Sequence, residues 1–344
     1  MKIDYPLNFV KTSNIIETGK LLDKFLPSEK SYVVVSGPTK SNLISLDILK
    51  SVKNKPKASF KININSHNKI DSIRDEISLI NVDYIVSIGG GVATDFAKRL
   101  AYLNSINLIS VPTTVSNDGM ASPIAVISDN NRKKSLKGKM PDIIVVPIEI
   151  IKEAPLKFIK AAILDTLSNI SAVNDWYYAD ENINLNTSQT MAINLSKMAA
   201  SMILNIKNLL LDDKRVLDTI LDVQLLSGMA MTIAGSSRPC SGSEHIISHA
   251  LDELGIADHL LHGEKVGSIS EFTLFMQGES DNNVSRLLRN LGIKKGIPGF
   301  ENMTKDEMIK VFRLSKILRP ERKNILDKYN EQELYDKYIN FLGE

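Results

Sequence analysis

The sequence predicts an α/β N-terminal domain with a mainly parallel, Rossmann-like sheet, followed by an all-helical C-terminal domain. Short β-rich runs alternate with amphipathic segments through the first half of the chain. Strands joined by crossover helices are typical of a parallel sheet with covered faces. From about Pro155 onward only helical periodicity is found, without a convincing strand. The two patterns meet near residue 150, so we expect one domain over 1–150 and a second over 151–344.

The individual elements follow from local patterns. SYVVVSG (31–37) predicts a buried strand, which Gly37 and Pro38 end. The run 122–138 predicts a hairpin with a polar tip, and the basic residues 132–139 are expected to be solvated there, with a guard over a phosphate as the alternative. The remaining elements are strands over 57–66, 82–88, 106–112 and 142–147, and helices over 41–52, over 70–80 and from the glycines after Ile88 to Tyr102.

Composition and charge argue against several classes of protein. The formal net charge of +2 over 344 residues gives no argument for a nucleic-acid partner. The single cysteine, Cys240, cannot form an intramolecular disulfide and indicates a reducing compartment. The N-terminal stretch lacks the apolar region of a signal peptide, and no uninterrupted apolar run approaches the ~20 residues that span a bilayer. We therefore expect a cytoplasmic protein with no nucleic-acid partner and no integral membrane segment.

The stretch SIGGGVATDFAKRLA (87–101) has the features of a phosphate-binding turn. Three glycines end a strand and lead directly into a helix, so backbone N–H groups can approach an anion at the positive helix end. The spacing differs from G-x-G-x-x-G and does not support an ordinary Rossmann site. A tight strand–helix turn is the alternative. Asp95, in the first turn, either interacts with the helix dipole or contacts a ligand.

A second polar loop, VPTTVSNDGMASP (111–123), follows the next predicted strand. It supplies hydroxyl groups from Thr113, Thr114, Ser116 and Ser122 and a carboxylate from Asp118. Loops at the carboxyl ends of adjacent parallel strands line one crevice, so the two loops together favour a dinucleotide site. The alternative is a polar turn fixed by the Asp-Gly pair at 118–119.

The histidines are concentrated in one segment, because four of the five lie between residues 245 and 262. His245 and His249 are four apart on a predicted helix and share a face, and His262 follows in LHGEKVG. Such a cluster indicates a divalent metal site, whereas a polar helix face is the alternative. The missing ligand is expected to be a carboxylate. Asp165 is the leading candidate, since it stands in what we interpret as an apolar helix start, where an unpaired charge is costly.

In combination, these motifs resemble the iron-containing alcohol dehydrogenase and dehydroquinate synthase superfamily. The order is GGGVATD, VPTTVSNDG, an aspartate in a helix, H-x-x-x-H and HGEKVG. Within that superfamily, VPTTVSNDGMASP and SRPCSGSEHIISHALD look most like the sn-glycerol-1-phosphate dehydrogenases. The segments LGIKKGIP and LRPERKNIL extend the resemblance over nearly the whole chain, although the residues around Lys323 depart from the aromatic residue expected in that family.

The resemblance implies reversible reduction of dihydroxyacetone phosphate by NAD(P)H to sn-glycerol 1-phosphate, the backbone of archaeal-type ether phospholipids. It implies that Asp165, His245 and His262 bind the metal, that Asp118, Asp165 and His249 contact the substrate, and that His249 and Asp118 act in catalysis. The residues implied for the nicotinamide cofactor are Gly89, Gly90, Gly91, Val92, Ala93, Thr94, Asp95, Thr113, Thr114, Val115, Ser116 and Ser122.

The chemistry implied by these positions is metal-assisted hydride transfer. Three protein ligands leave a coordination site open for the C2 carbonyl, and zinc suits one carboxylate with two imidazoles, with iron or nickel as alternatives. His249 is expected to relay a proton or order the hydroxyl groups together with Asp118, because the ordinary histidine pKa suits that task. Arg238 and Lys265 are candidates for the substrate phosphate.

The cofactor is expected to be NADPH or NADH, with NADPH used at least as well. Gly37 stands where an NAD-specific acid is expected after the strand, and Lys40 could approach a 2′-phosphate. We also expect a homo-oligomer. The alternatives in function are a sugar-phosphate cyclase like dehydroquinate synthase, a glycerol dehydrogenase or other alcohol dehydrogenase, and a catalytically silent nucleotide-binding or scaffolding protein.

Overall fold

The computed structural model of the protein describes residues 8–129, 132–179, 185–206, 209–279 and 282–343. The chain divides into two compact units, Met1–Phe158 and Ile159–Glu344, a division that falls later than the boundary predicted near residue 150. The first unit carries a six-stranded parallel sheet and the described part of the second carries no strand, which confirms the predicted fold class.

The sheet has the strand order β1-β8-β5-β4-β2-β3, and every pair in it is parallel. Its strands are β1 (Asn8–Thr12), β2 (Tyr32–Ser36), β3 (Ala58–Lys61), β4 (Tyr84–Gly89), β5 (Asn107–Pro112) and β8 (Ile143–Pro147). The helices of this unit are α1 (Ile15–Phe25), α2 (Lys40–Leu49), α3 (His67–Ile80), α4 (Gly91–Asn104) and the short α5 (Ile148–Lys152).

Both edge strands differ from the sequence prediction. β1 was not predicted, because NFVKT is short and mostly part-exposed and so lacks the apolar run of a buried strand. β3 covers only the start of the strand predicted over 57–66, and its alternating burial is typical of an edge with one face toward solvent. The four central strands lie within or close to their predicted ranges.

Helices cover both faces of the sheet, because apolar side chains of β2 point alternately to each face. Val33 and Val35 belong to a core formed with α3, α4 and a hairpin, whereas Tyr32 and Val34 belong to a core with α1 and α2. Successive side chains of a strand point to opposite faces, so a strand that is apolar at every position must be covered twice. This explains why YVVVS is buried throughout.

The predicted hairpin is confirmed. Ile124–Asp129 (β6) pairs with Arg132–Lys137 (β7) in antiparallel register, and Ala125 and Ile127 pack into the α3–α4 core. The centre of its predicted polar tip, residues 130 and 131, lies outside the described residues. The side chains of 133–135 are exposed, which agrees with a solvated basic run.

The second unit is helical over its described residues. Its core is formed by apolar faces of α10 (Ser243–Glu253), α11 (His262–Met276), α13 (Lys305–Leu318) and α14 (Glu331–Gly343). The rings of Phe272, Phe300, Phe312 and Tyr338 contact one another there. The helices are α6 (Leu156–Leu167, which begins in the first unit), α7 (Asn169–Ala179), α8 (Thr187–Leu204), α9 (Lys214–Ala234), α10 (Ser243–Glu253), α11 (His262–Met276), α12 (Asn282–Asn290), α13 (Lys305–Leu318) and α14 (Glu331–Gly343).

Among the described helices, α9 alone is long and apolar enough to cross a membrane by those two measures. Within the protein, 61% of its most apolar window is buried, and it packs along α8. A core helix passes the same test of length and composition, so α9 is weak evidence for a membrane span.

Candidate active site

The glycine turn lies where the winding of the sheet reverses. The chain passes from β2 outward to the edge strand β3 and then returns to place β4 on the other side of β2. Ligands of open α/β sheets bind at the carboxyl ends of strands next to such a reversal. Gly37, after β2, and Gly89, at the end of β4, are neighbours at this point, since a Cβ built on Gly89 would lie 3.5 Å from the Gly37 nitrogen.

The two predicted nucleotide loops lie side by side. The Thr113 N–H donates a hydrogen bond to the Gly89 carbonyl at 3.0 Å, and a Cβ built on Gly90 would lie 2.9 Å from the Thr114 hydroxyl. A Cβ on Gly91 would meet no atom within 4 Å, so this glycine borders open space. The backbone there is accessible to a ligand, which fits a phosphate-binding turn.

The first turn of α4 suits an anion for a second reason. Gly90 is its N-cap and makes no side-chain capping bond, so the first amide N–H groups are left for another partner. Gly91 and Val92 are exposed, whereas Ala93 and Thr94 are buried beneath them. The same division holds in the second loop, where Val115 is buried and Thr114 and Ser116 are partly exposed. The exposed members are those that can contact a cofactor directly.

A buried lysine that sequence reasoning missed organises the second loop. The Lys98 side chain is fully buried, and its ammonium forms an ion pair with Asp95 at 2.7 Å. It also donates hydrogen bonds to the Gly119 carbonyl at 2.8 Å, to the Ser122 hydroxyl at 3.4 Å and to the Ile124 carbonyl. Lys98 therefore fixes the backbone around Asp118, and it engages Asp95 and Ser122, two residues predicted to contact the cofactor.

Two carboxyl groups near Lys98, those of Asp118 in the loop and of Asp95 in α4, have raised pKa values. Burial raises the pKa of Asp118 to about 6, with the Asp95 charge adding to the rise and Lys98 opposing it. Burial likewise raises the pKa of Asp95, while Lys98 lowers it. A carboxyl with a raised pKa in a cleft is typical of a functional site.

In the helical unit, three predicted metal ligands converge. One donor atom each of Asp165, His245 and His262 lies within 4.8 Å of the other two. His262 Nε2 is 3.7 Å from Asp165 Oδ1. A tetrahedral zinc ion bound at ~2.0–2.2 Å separates its ligand atoms by about 3.3–3.6 Å, so the donor set fits such an ion after a small contraction.

Two glycines bring the helices of this cluster together. A Cβ on Gly263 would lie 2.0 Å from the Ala161 carbonyl oxygen, and one on Gly267 would lie 2.7 Å from the Leu164 Cβ. These glycines are four apart on α11 and face α6, so the two helices approach to backbone contact. His262 opens α11 and Asp165 lies in the last turn of α6. The expectation that Asp165 stands at a helix start is therefore wrong, because the apolar run before it is the body of that helix.

The rest of the HGEK motif fixes α11 to its neighbours. Glu264 accepts a hydrogen bond from the Leu261 N–H at 3.1 Å and forms an ion pair with Lys160 of α6 at 3.4 Å. Lys265 is buried and forms an ion pair with Asp252 of α10. The suggestion that Lys265 binds the substrate phosphate is thus not supported, since its ammonium already has a carboxylate partner inside the protein.

A buried acid, Glu244, orients the ring of His245, one of the predicted ligands. Its Nδ1 lies 2.8 Å from Glu244 Oε1, an orientation that leaves Nε2 for the metal. Burial, with Arg319 and Arg322 nearby, lowers the pKa of His245 to about 3. Burial raises the pKa of Glu244, which has no exposed surface, to about 7. Sequence reasoning missed Glu244, although it directly precedes His245.

His249 lies beside the cluster without belonging to it. Its ring centroid is 6.5 Å from that of His245 and 6.4 Å from that of His262. Its Nε2 lies 3.1 Å from a terminal nitrogen of Arg319. Because a guanidinium only donates, Nε2 accepts and the proton of the neutral ring belongs on Nδ1.

The reason given for His249 as a proton relay is corrected. We expected an ordinary pKa for His249. Burial, as the largest cause, and the charge of Arg319, as the second, lower its pKa well below the usual value. The ring therefore stays neutral near neutral pH and serves as a hydrogen-bonding group.

Arg238, the other candidate for the phosphate, packs over the Trp176 ring and donates to the Lys323 carbonyl at 3.1 Å.

Comparison with known proteins gives a consistent family. A sequence model described as iron-containing alcohol dehydrogenase matches residues 9–155. Glycerol-1-phosphate dehydrogenase (NAD(P)+) of Pyrococcus abyssi is 30% identical over 329 residues, which cover 95% of this chain and 94% of the relative. The protein of the same name from Methanosphaera stadtmanae is 33% identical over 293 residues, covering 84% of this chain and 83% of the relative.

Solved structures agree on the fold. A probable glycerol dehydrogenase from Sinorhizobium meliloti superposes with a TM-score of 0.76 at 19% identity, covering 99% of this chain and 97% of the other. An iron-containing alcohol dehydrogenase from Thermotoga maritima gives a TM-score of 0.70 at 14% identity, covering 100% and 99%. At such identities the likeness concerns the fold alone.

Gly263→Ala is expected to separate α11 from α6 and displace His262 from Asp165. The added methyl group would collide with backbone on the other helix, so we expect a loss of about 1–3 kcal/mol in stability and weaker zinc binding. Urea unfolding and zinc titration measure the two effects. Gly343→Ala is the matched control, because its Cβ would meet nothing within 4 Å. Unchanged zinc affinity in Gly263→Ala would contradict the role of the close approach.

Asp118→Asn is expected to change how stability depends on pH. The raised pKa means that the folded wild-type protein retains a proton that the unfolded chain loses, so stability falls as pH rises from about 4 through about 6. The variant lacks this loss and should gain about 1–3 kcal/mol relative to wild type at pH ~8 compared with pH ~4. Denaturant unfolding at both pH values measures it. The exposed Asp71→Asn is the control, and an equal shift there would refute the assignment.

Proposed function

The chain belongs to the glycerol-1-phosphate dehydrogenase family of NAD(P)-dependent oxidoreductases, and from this membership we propose that it reduces dihydroxyacetone phosphate reversibly to sn-glycerol 1-phosphate. The observation that supports the proposal most directly is the convergence of Asp165, His245 and His262 beside His249. The reaction adds a hydride to C2 and a proton to the C2 oxygen, and it oxidises NAD(P)H to NAD(P)+.

The chain's own residues would divide the work as follows. Asp165, His245 and His262 would hold one divalent metal, for which zinc suits the donors best. When bound, the metal polarises the C2 carbonyl and the nicotinamide supplies the hydride. Glu244 keeps the Nδ1 proton of His245 engaged, so that Nε2 remains available as a ligand atom. His249, neutral with its proton on Nδ1, would donate a hydrogen bond to the substrate.

The nucleotide would bind at the glycine turn of the first unit. The N–H groups of the first α4 turn suit the pyrophosphate, and the partly exposed hydroxyls of Thr114 and Ser116 lie on the adjacent loop. Lys98 would position this loop from below through its bonds to Gly119 and Ser122. We keep Asp118 as a substrate contact and the remaining buried residues of both loops as cofactor-site members on the resemblance.

The wider assignments rest on the family and the composition. We propose a cytoplasmic enzyme whose product supplies the backbone of archaeal-type ether phospholipids. Cys240 is the single cysteine of the sequence and lies buried, which agrees with a reducing compartment. The homo-oligomer remains a prediction.

The test of function is turnover by zinc-loaded protein with NADPH or NADH. We expect oxidation of the cofactor with dihydroxyacetone phosphate and little with dihydroxyacetone. The opposite preference would indicate a glycerol dehydrogenase. A sugar-phosphate cyclase would release no oxidised cofactor, and a silent relative would show no turnover.

Alanine at Asp165, His245 or His262 is expected to abolish this turnover and lower the zinc content, because each removes one of three ligands. His249→Ala is the matched control, since its ring lies beside the cluster. It should reduce turnover while zinc remains bound. Full zinc occupancy with near-normal activity after any of the three substitutions would remove that residue from the ligand set, and an outer-shell role would cost only ~10–100-fold.

Cofactor preference gives a further prediction. Gly37 follows β2 without an acid, and the exposed Lys40 ammonium is 4.0 Å from Glu153, a pair too exposed to fix either side chain. We expect kcat/KM for NADPH at least equal to that for NADH. Gly37→Asp should weaken NADPH selectively by repelling the 2′-phosphate, with Gly37→Asn as the uncharged control. A preference of wild type for NADH beyond ~100-fold, about 2.7 kcal/mol, would refute the expectation.

A further inference from the structure

Two arginines from the segment after α13 contact α10 and the turn that precedes it. A terminal nitrogen of Arg319 lies 3.1 Å from His249 Nε2. Arg322 donates to the Ser241 carbonyl at 2.9 Å and to the Ser237 hydroxyl at 3.2 Å. Both side chains are partly buried. The two guanidinium groups thus lie next to the imidazole that borders the metal ligands.

Among the described residues, no carboxylate lies at ion-pair distance from either arginine, although the charge of Glu321 acts on both and that of Glu244 acts on Arg322 from farther away. The hydrogen bonds of Arg319 and Arg322 go to an imidazole, a hydroxyl and a carbonyl. Burial, together with the charges of Arg319 and Arg238, lowers the pKa of Arg322 to about 10. Like charges gathered in a partly buried place cost free energy unless an anion joins them. Such a cluster is therefore arranged for a ligand of negative charge.

We propose that Arg319 and Arg322 form the subsite that receives the phosphate of the substrate, an inference that rests on the proposed function. A phosphate monoester carries close to two negative charges and three terminal oxygens, and guanidinium groups bind such oxygens through paired N–H donors. Arg319 has further N–H groups beyond the one directed at His249.

The position of Arg319 also suits the length of the substrate. In dihydroxyacetone phosphate, the ketone carbon and the phosphorus are joined through a methylene group and an ester oxygen. In the protein, Arg319 contacts the His249 ring, whose centroid is 6.4 Å from that of His262, one of the predicted metal ligands. A substrate with its ketone at the metal ligands and its phosphate at Arg319 would run along this ring. The subsite thereby selects phosphorylated over free dihydroxyacetone.

The decisive variant is Arg319→Gln, measured in the zinc-loaded, full-length enzyme. We expect KM for dihydroxyacetone phosphate to rise about 30-fold or more, a larger effect than the change in kcat/KM for free dihydroxyacetone, with the zinc content unchanged. Competitive inhibition by inorganic phosphate should weaken in parallel. Arg313→Gln, on the exposed side of α13, is the matched control and should change none of these values.

Arg322 also holds the turn at 237–241, so it is tested with Arg322→Lys, which keeps the charge but loses the paired donors. A smaller rise in KM is expected, with partial rescue of Arg319→Gln and Arg322→Lys by added guanidinium. Unchanged KM and unchanged phosphate inhibition in Arg319→Gln, with zinc retained, would overturn the subsite.

Phosphate binding separates this inference from the function on which it rests. Isothermal titration of inorganic phosphate into zinc-loaded wild-type protein and Arg319→Gln needs no turnover. Weaker binding in the variant without any turnover of dihydroxyacetone phosphate by wild type would retain an anion subsite and reject the substrate. Normal turnover with equal phosphate binding in both proteins would retain the function and reject the subsite.

Discussion

The helical unit depends on the approach of α11 to α6 at backbone distance. Gly263 and Gly267 remove the side chains that would hold the helices apart, and the resulting contact places His262 3.7 Å from Asp165. Three ion pairs or caps then fix the register: Lys160 with Glu264 across these helices, Glu264 at the start of α11, and Lys265 with Asp252. In HGEK, every residue therefore has a separate physical task, and metal binding is proposed for the first of them alone.

Buried charge is handled differently in the two units. In the first, the buried ammonium of Lys98 binds Asp95 of α4 and oxygen atoms of the loop that carries Asp118, and both carboxyl groups have raised pKa values. In the second, burial raises the pKa of both Asp175 and Glu244, and the Glu244 charge adds to the rise at Asp175. Both acids accept hydrogen bonds from backbone N–H groups at the start of α10. Both arrangements make the backbone near the chemistry rigid, because a buried charged group cannot be left without its partners.

What the sequence could predict follows from how local each signal is. The parallel sheet was predictable because β2, β4, β5 and β8 are apolar runs separated by helical periodicity, and the two loops because both follow strand ends. The cluster of Asp165, His245 and His262 was predictable from residue type, since the sequence has only five histidines and four of them lie in one segment. Lys98, three residues after Asp95, looks like an ordinary surface helix pair, and its burial depends on the hairpin that covers it. Arg319 and Arg322 lie some seventy to eighty residues from their contacts, so no local pattern connects them to His249 and Ser241. Asp165 was correctly predicted to lie near the histidines, but it was predicted at the start of a helix and lies in the last turn of α6. Sequence patterns locate helix ends poorly, because caps and packing set them.

The pairing of β1 has a consequence for how the first unit is assembled during synthesis. Among the described strands, β1 pairs only with β8, with Asn8 opposite Ile143, so the first of these strands to be synthesised has no partner until the last one is made. Closing a loop of that length is entropically costly and slow. Until β8 has been synthesised, β5 has no strand on that side, and the nascent sheet ends in an open edge there. β1 can therefore join the sheet only after β8 has been synthesised, and the native strand order is complete only after residue 147 has left the ribosome.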